Sequence, residues 1–211
     1  MKLVVFGGTG PTGKRVVEKA LAEGMQVRVL ARSPEKVTHR PSGLEVMAGD
    51  ALQPEDVAQA ILGQDAVVTT LGVPYTFKPV TVYSVGIRNI LDGMQQAGVR
   101  RLVAVTSGGT HPGRDPNNPF FFEFILKPIV GRTLYADMRR MEALLFASEV
   151  DWTLLRPPRL LDKPATGRVR VAPDVYTLPD GGTVSRADLA DVIVQQLQST
   201  ELIRKAAVVA D

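Results

Sequence analysis

The sequence predicts a doubly wound α/β fold, a parallel sheet covered by helices on both faces. Three observations predict it. Short apolar runs alternate along the chain with patterns of helical period. The runs are continuous rather than alternating, as in strands buried on both sides. The links are short, so successive strands join through right-handed helical crossovers. With 211 residues the chain can bury about 70% of its unfolded surface. It is read as a single domain over 1–211, with 157–211 a small C-terminal portion on the substrate side.

The elements follow in order. Leu3–Phe6 is a buried strand, and Gly7-Gly8-Thr9-Gly10-Pro11-Thr12-Gly13 turns the chain. Pro11 suits the first helical position, where its missing N–H is not needed. Val16, Val17, Ala20 and Leu21 share one helical face, and Gly24 ends that helix. Val27–Leu30 and Leu44–Met47 are strands. A helix opens at Pro54 and closes at Gly63. Ala66–Leu71 is a strand, a helix runs from about Pro79 to Ala97 and is ended by Gly98, and Leu102–Thr106 is the fifth strand. Residues 107–133 are less regular. A helix then spans 134–147, with Met138, Met141 and Leu145 inward, and Trp152–Leu155 is a sixth strand. Ser185 and Asp188 have the spacing of a capping box before a last helix, and Ala207–Val209 is a short final strand.

Composition excludes several classes of function. Zero cysteines rule out disulfides, thiolate nucleophiles and Cys-ligated zinc. Two histidines, His39 and His111, are too few for a His-rich metal site, so no metal is expected. The net charge of +3 is dispersed rather than clustered, which argues against nucleic acid as a partner. No apolar run reaches the roughly 18–20 residues of a membrane span, and Leu3–Phe6 is too short for a signal-peptide core. The expected location is therefore cytoplasmic.

Doubly wound sheets bind ligands beyond the carboxyl ends of their strands. Gly7, Arg32, Asp50, Gly72 and Ser107 all fall there. Gly7, Gly10 and Gly13 form a G-x-x-G-x-x-G turn between the first strand and the first helix. Such a turn lets backbone approach a pyrophosphate, while the helix N-terminus offers free N–H groups and a positive dipole end. Pro11 cannot donate, which leaves the Thr12 and Gly13 amides. An NAD-selective protein usually places Asp or Glu after the second strand; this chain has Arg32-Ser33, with Lys36 one turn on. Those residues suit a 2′-phosphate, so NADP(H) is expected in preference to NAD(H). Asp50-Ala51 lie where adenine would sit, and Leu71-Gly72 where ribose or pyrophosphate would.

Val5-Phe6-Gly7-Gly8-Thr9-Gly10-Pro11-Thr12-Gly13, Val29-Leu30-Ala31-Arg32 and Gly49-Asp50 together resemble the atypical short-chain dehydrogenases with an NAD(P)H-binding, NmrA-like Rossmann domain. Gly86-Ile87-Arg88-Asn89-Ile90, Val105-Thr106-Ser107, Asp151–Pro158 and Ser185–Ala190 are most similar to the flavin reductase/biliverdin-IXβ reductase branch. The resemblance spans nearly the whole chain. It implies NADPH along the strand ends, touching the glycine turn with Thr9, and also Val105, Thr106 and Pro157. The nicotinamide would lie near Ser107, with a planar acceptor such as a flavin, a linear tetrapyrrole or a quinone stacked on it.

Many short-chain dehydrogenases use a Tyr and a Lys four residues apart as proton relay. Tyr135 and Arg139 have that spacing, but the position matching the family's Lys is Met138. Arg139 lies about 100° further around the helix, so Tyr135 is read as packed near the loop rather than as half of an acid/base pair. Ser107 is then the candidate catalytic residue, a hydrogen-bond donor beside the nicotinamide or acceptor. His111 is read as a surface loop residue, and Arg159 as a group that can reach an acidic substrate. Phe120-Phe121-Phe122-Glu123-Phe124 is read as core or lid before interface.

The expected function is an NADPH-dependent reductase of planar acceptors, working as a monomer or weak dimer. The alternatives are a non-catalytic NADP(H)-binding redox sensor and a short-chain epimerase or dehydratase. Only 55 residues follow Arg156, so the acceptor site is expected to be open and shallow.

Overall fold

A computed structural model describes residues 1–180 and 182–211. The strands are β1 (Lys2–Phe6), β2 (Gln26–Ala31), β3 (Leu44–Ala48), β4 (Ala66–Thr69), β5 (Arg101–Val105), β6 (Asp151–Arg156), β7 (Arg159–Leu161), β8 (Arg170–Pro173), β9 (Thr183–Ser185) and β10 (Lys205–Ala210). The helices are α1 (Pro11–Ala22), α2 (Pro54–Ile61), α3 (Val82–Ala97), α4 (Arg132–Phe146) and α5 (Arg186–Gln198). A π-helical segment runs from Phe122 to Val130.

Eight strands form one sheet in the order β3-β2-β1-β4-β5-β6-β10-β8. All pairings are parallel except that of β8 with β10. β7 and β9 form a separate two-stranded parallel pair. The strand order reverses between β1 and β4, which opens a crevice beyond their carboxyl ends.

The two faces are buried by alternate residues. Val4 and Phe6 face a core built with α2, α3 and α4, through Ile61, Ile87, Ile90 and Leu145. Leu3 and Val5 face the opposite core, built with α1 and α5 through Val16, Ala20, Leu189 and Ile193. Both faces of β1 and β4 are therefore dry, as their unbroken apolar runs require.

Several boundaries move. β4 stops at Thr69, two residues short of the expected end, so Leu71 and Gly72 lie in the following loop. α3 begins at Val82 rather than near Pro79, because its N-terminus is capped from another helix. Asp137 of α4, fully buried, accepts from the amides of Tyr83 and Ser84 at 2.9 and 3.2 Å. A carboxylate at that end satisfies free N–H groups and complements the helix dipole. The capping box at α5 is present: Ser185 Oγ accepts from the Asp188 amide at 2.8 Å and donates to its carboxylate at 2.7 Å. Asp188 also accepts from the Thr166 and Gly167 amides, which ties the loop before β8 to α5.

Candidate functional site

The glycine turn is built by close approach. Gly7 has φ +82°, and a Cβ there would stand 2.7 Å from the backbone of Thr70 at the exit of β4. At Gly13 a Cβ would stand 2.1 Å from the Gly7 carbonyl oxygen. Neither position admits a side chain unless backbone moves. The Gly10 amide donates to Gly7 O at 2.9 Å, and α1 starts at Pro11 with no side-chain cap. The Thr12 and Gly13 amides thus point out of the helix end with no partner from a capping side chain, as an anion site requires. Thr9 is exposed beside them. The cradle fits a dinucleotide pyrophosphate.

Arg32 directly follows β2 and is exposed, with no ion pair or side-chain hydrogen bond to the described residues. Ser33 is half-buried before a short 3-10 turn, and Lys36 ends that turn, exposed. The Asp50 amide donates to Asp56 Oδ2 at 2.8 Å, and its carboxylate accepts from the Leu52 amide at 3.0 Å. Ala51 is buried, its carbonyl held by Asn89 at 3.0 Å. Leu71 packs so closely on α3 that a Cβ at Gly86 would stand 2.7 Å from it, while Gly72 is exposed. These residues line the strand ends on the β3–β4 side.

On the β5–β6 side lies a cleft of about 1100 Å³. Thr106, Ser107 and Pro157 form part of its lining, below Val73, Tyr75, Tyr83, Phe121, Phe122 and Tyr135. Val105, at the end of β5, is half-buried just before them. Thr106 is buried and its hydroxyl donates to Glu142 at 2.7 Å. Glu142 is also paired with Arg156 at 2.7 Å, both side chains being almost wholly enclosed. The Arg156 guanidinium lies 3.9 Å over the ring of Tyr176. A buried ion pair therefore fixes the floor of the cleft. Ser107 Oγ accepts from the Gly109 amide at 3.2 Å, and the Pro157 carbonyl accepts from the Gly108 amide at 3.1 Å.

Tyr135 reaches the heart of this cleft, which the sequence reading placed merely near the loop. Its hydroxyl is 2.7 Å from that of Tyr75. Its ring passes between two glycines: a Cβ at Gly109 would stand 2.4 Å from Cε1, and one at Gly131 would stand 2.6 Å from Cε2. Burial first, and then the bond to Tyr75, push its phenol well above the ordinary tyrosine range; the Ser107 hydroxyl acts in the opposite direction. Among the described residues, the groups that act on its phenol are the hydroxyls of Tyr75, Ser107 and Tyr83, none of them a cation. Met138 lines the cleft at the position where a relay would need its lysine. Arg139 is half-buried on α4, one position past Met138. Tyr75 and Tyr83 were not anticipated; Tyr75 lies in the strand-end loop that carries Gly72, and Tyr83 in the first turn of α3.

The C-terminal portion supplies part of the wall, including Pro158, Leu160, Thr177 and Arg186, beside the residues of the 107–133 segment. Arg159 stands exposed at the mouth. His111 is half-buried rather than on the surface, edge-on to Tyr176 at 5.0 Å with Nδ1 accepting from Gly113. The core reading of Phe120–Phe124 is also corrected: Phe122 packs edge-on to Tyr135, but Phe120 and Phe121 are 72% and 65% exposed.

A model of the NAD(P)H-binding family matches residues 7–200. An uncharacterized chloroplastic protein of Arabidopsis thaliana is 32% identical over 212 residues, covering 95% of this chain and 73% of its own length. YhfK of Bacillus subtilis, described as an uncharacterized sugar epimerase, is 28% identical and covers 98% and 92%. Among solved structures, ChuY, an anaerobillin reductase from Escherichia coli O157:H7, superposes with a TM-score of 0.78 at 25% identity, covering 100% of this chain and 97% of its own. The chain belongs to the NAD(P)H-binding family, on a Rossmann-like α/β fold.

Proposed function

We propose that the protein is an NADPH-dependent reductase of planar acceptors of the flavin, bilin or quinone type. The observation that carries this reading is the cleft itself. It has aromatic walls and a hydroxyl floor at Ser107, and among the described residues the groups that act on the Tyr135 phenol are hydroxyls rather than cations. NADPH, where bound, supplies the hydride.

In this reading the cofactor lies along the strand ends. Gly7, Thr9, Gly10, Pro11, Thr12 and Gly13 cradle its pyrophosphate, with Arg32, Ser33 and Lys36 at its 2′-phosphate. Asp50 and Ala51 border the adenine, and Leu71 and Gly72 the adjoining backbone. Val105, Thr106 and Pro157 border the nicotinamide end. Ser107 holds a polar atom of nicotinamide or acceptor. The Thr106 hydroxyl is already held by Glu142, so its contribution is shape. Tyr75, Phe121 and Tyr135 clamp a flat ring and exclude water from its faces. Tyr135 stays protonated, so it orients an acceptor by donating a hydrogen bond. That disfavours the epimerase or dehydratase reading, which needs the phenol to give and take a proton.

The test is NADPH oxidation with a panel of FMN, riboflavin, biliverdin and quinones, using purified protein. Turnover of at least one is expected. Tight NADPH binding with none turned over would replace the reading with that of an NADP(H)-binding sensor. We place the activity in the cytoplasm, in a monomer or weak dimer.

A further inference from the structure

The segment 120–130 carries its polarity inside out. Phe120, Phe121, Phe124, Ile125, Pro128 and Ile129 are exposed. The two charged residues, Glu123 and Lys127, are buried and paired at 3.0 Å. Their remaining bonds are internal: Lys127 donates to the Gly113 carbonyl at 2.8 Å, and Asn118 donates to Glu123 at 2.9 Å. A helix facing water shows the opposite arrangement, with apolar side chains inward. Here the inward ion pair fixes the segment, so the apolar face is held outward rather than left there by loose packing. Phe120 and Phe124 stack at 4.2 Å.

A second segment joins this face. Thr133 donates to the carbonyls of Thr76 and Lys78, which brings Phe77, 75% exposed, beside the start of α4. Six of the thirteen exposed large hydrophobic side chains among the described residues lie in these two segments: Phe77, Phe120, Phe121, Phe124, Ile125 and Ile129. The charges decide what the face fits. Among the described residues, the exposed ionic groups that adjoin Phe77, Phe124 or the end of the segment are Lys78, Arg114 and Arg132, all cations, and Arg114 lies 4.1 Å over the Phe124 ring. Its carboxylates, Asp115 and Glu123, are both buried.

We propose that this face docks on an anionic lipid surface, with the rings and isoleucines in the headgroup region and the three cations against lipid phosphates. Exposed aromatic and aliphatic groups ringed by cations are the composition of an interfacial element. A two-fold contact between copies would instead set each cation against its own kind, and like charges without counterions repel. No helix among the described residues is long and apolar enough to cross a membrane, so the contact is peripheral. The proposal needs no turnover, and Phe121, which also lines the cleft, is left unchanged in the variants that test it.

The test is sedimentation of the full chain with vesicles of phosphatidylglycerol and phosphatidylcholine, against vesicles of phosphatidylcholine alone. Association with the anionic vesicles is expected, weakening as salt rises. Phe120→Ser/Phe124→Ser should reduce it by about tenfold or more. Arg114→Gln and Lys78→Gln should each cost about fivefold. Melting temperature and NADPH affinity should stay unchanged in all of them. No association of the parent protein with anionic vesicles at low salt would overturn the proposal. So would a concentration-dependent dimer, lost in Phe120→Ser/Phe124→Ser, without vesicle binding; that result would assign the face to a second copy.

Discussion

Glu142→Gln should destabilise the protein far more than its neutral look suggests. The carboxylate accepts from Arg156 at 2.7 and 3.3 Å and from Thr106 at 2.7 Å, and both charged side chains are at most 5% exposed. The amide keeps the volume and one acceptor oxygen but removes the negative charge, so the guanidinium stays buried without its counterion, over the rings of Tyr176 and Phe146. Breaking a buried pair from one side costs about 3–5 kcal/mol. Unfolding entropy of about 2.1 cal/mol/K per residue over 211 residues turns that into a loss of about 7–11 °C in melting temperature. Thermal unfolding followed by circular dichroism measures it. The double variant Glu142→Leu/Arg156→Met, which leaves no buried charge, should recover much of the loss, less about 1 kcal/mol for the Thr106 hydroxyl. A shift below about 2 °C for Glu142→Gln would refute the reasoning. A double variant at least as unstable as the single would refute it too.

Three further outcomes are expected. Arg32 has no partner among the described residues to give up, so Arg32→Asp should weaken NADPH binding about 10- to 150-fold while NADH changes little, read by fluorescence titration; equal losses would remove the 2′-phosphate assignment. Ser107→Ala and Tyr135→Phe should lower kcat on an acceptor while leaving the NADPH dissociation constant within about twofold, and loss confined to cofactor binding would contradict their placement. Asp188 works against burial, but donors from Thr166, Ser185 and Gly167 hold its carboxyl below the ordinary range. Its stabilisation is therefore present above the unfolded value near 3.9 and lost as pH falls through the lower folded value. Asp188→Asn should flatten the stability curve between neutral pH and that acid range, and an unchanged acid slope would show that the carboxylate is not the linked group.

The doubly wound core was legible because its signals are local. Leu3–Phe6 followed by the glycine turn, and Ser185 three residues before Asp188, each carry their own geometry. β7, β8 and β9 were hidden because three or four half-exposed residues have no period to read. Segment 120–130 matched no template, since its helix is of the π type and its polarity is inverted. Gly7, Arg32, Asp50, Gly72 and Ser107 could be placed at strand ends because each directly follows an apolar run or closely trails one. Tyr135 was undervalued because its place depends on Gly109 and Gly131, which lie on opposite sides of its ring and carry no pattern in the chain. The Glu142–Arg156 pair joins a helix to a strand across fourteen residues, a separation no motif encodes.

The two glycines around Tyr135 also set a clock. A tyrosine ring turns over only when its surroundings open a little, and this one is gripped at both edges by backbone. Its half-turns should therefore follow the breathing of the two backbone segments around Gly109 and Gly131. Separate resonances for the two ring edges would report that breathing directly. A ligand seated on Ser107 should slow it, making the ring a built-in gauge of cleft occupancy that needs no added label.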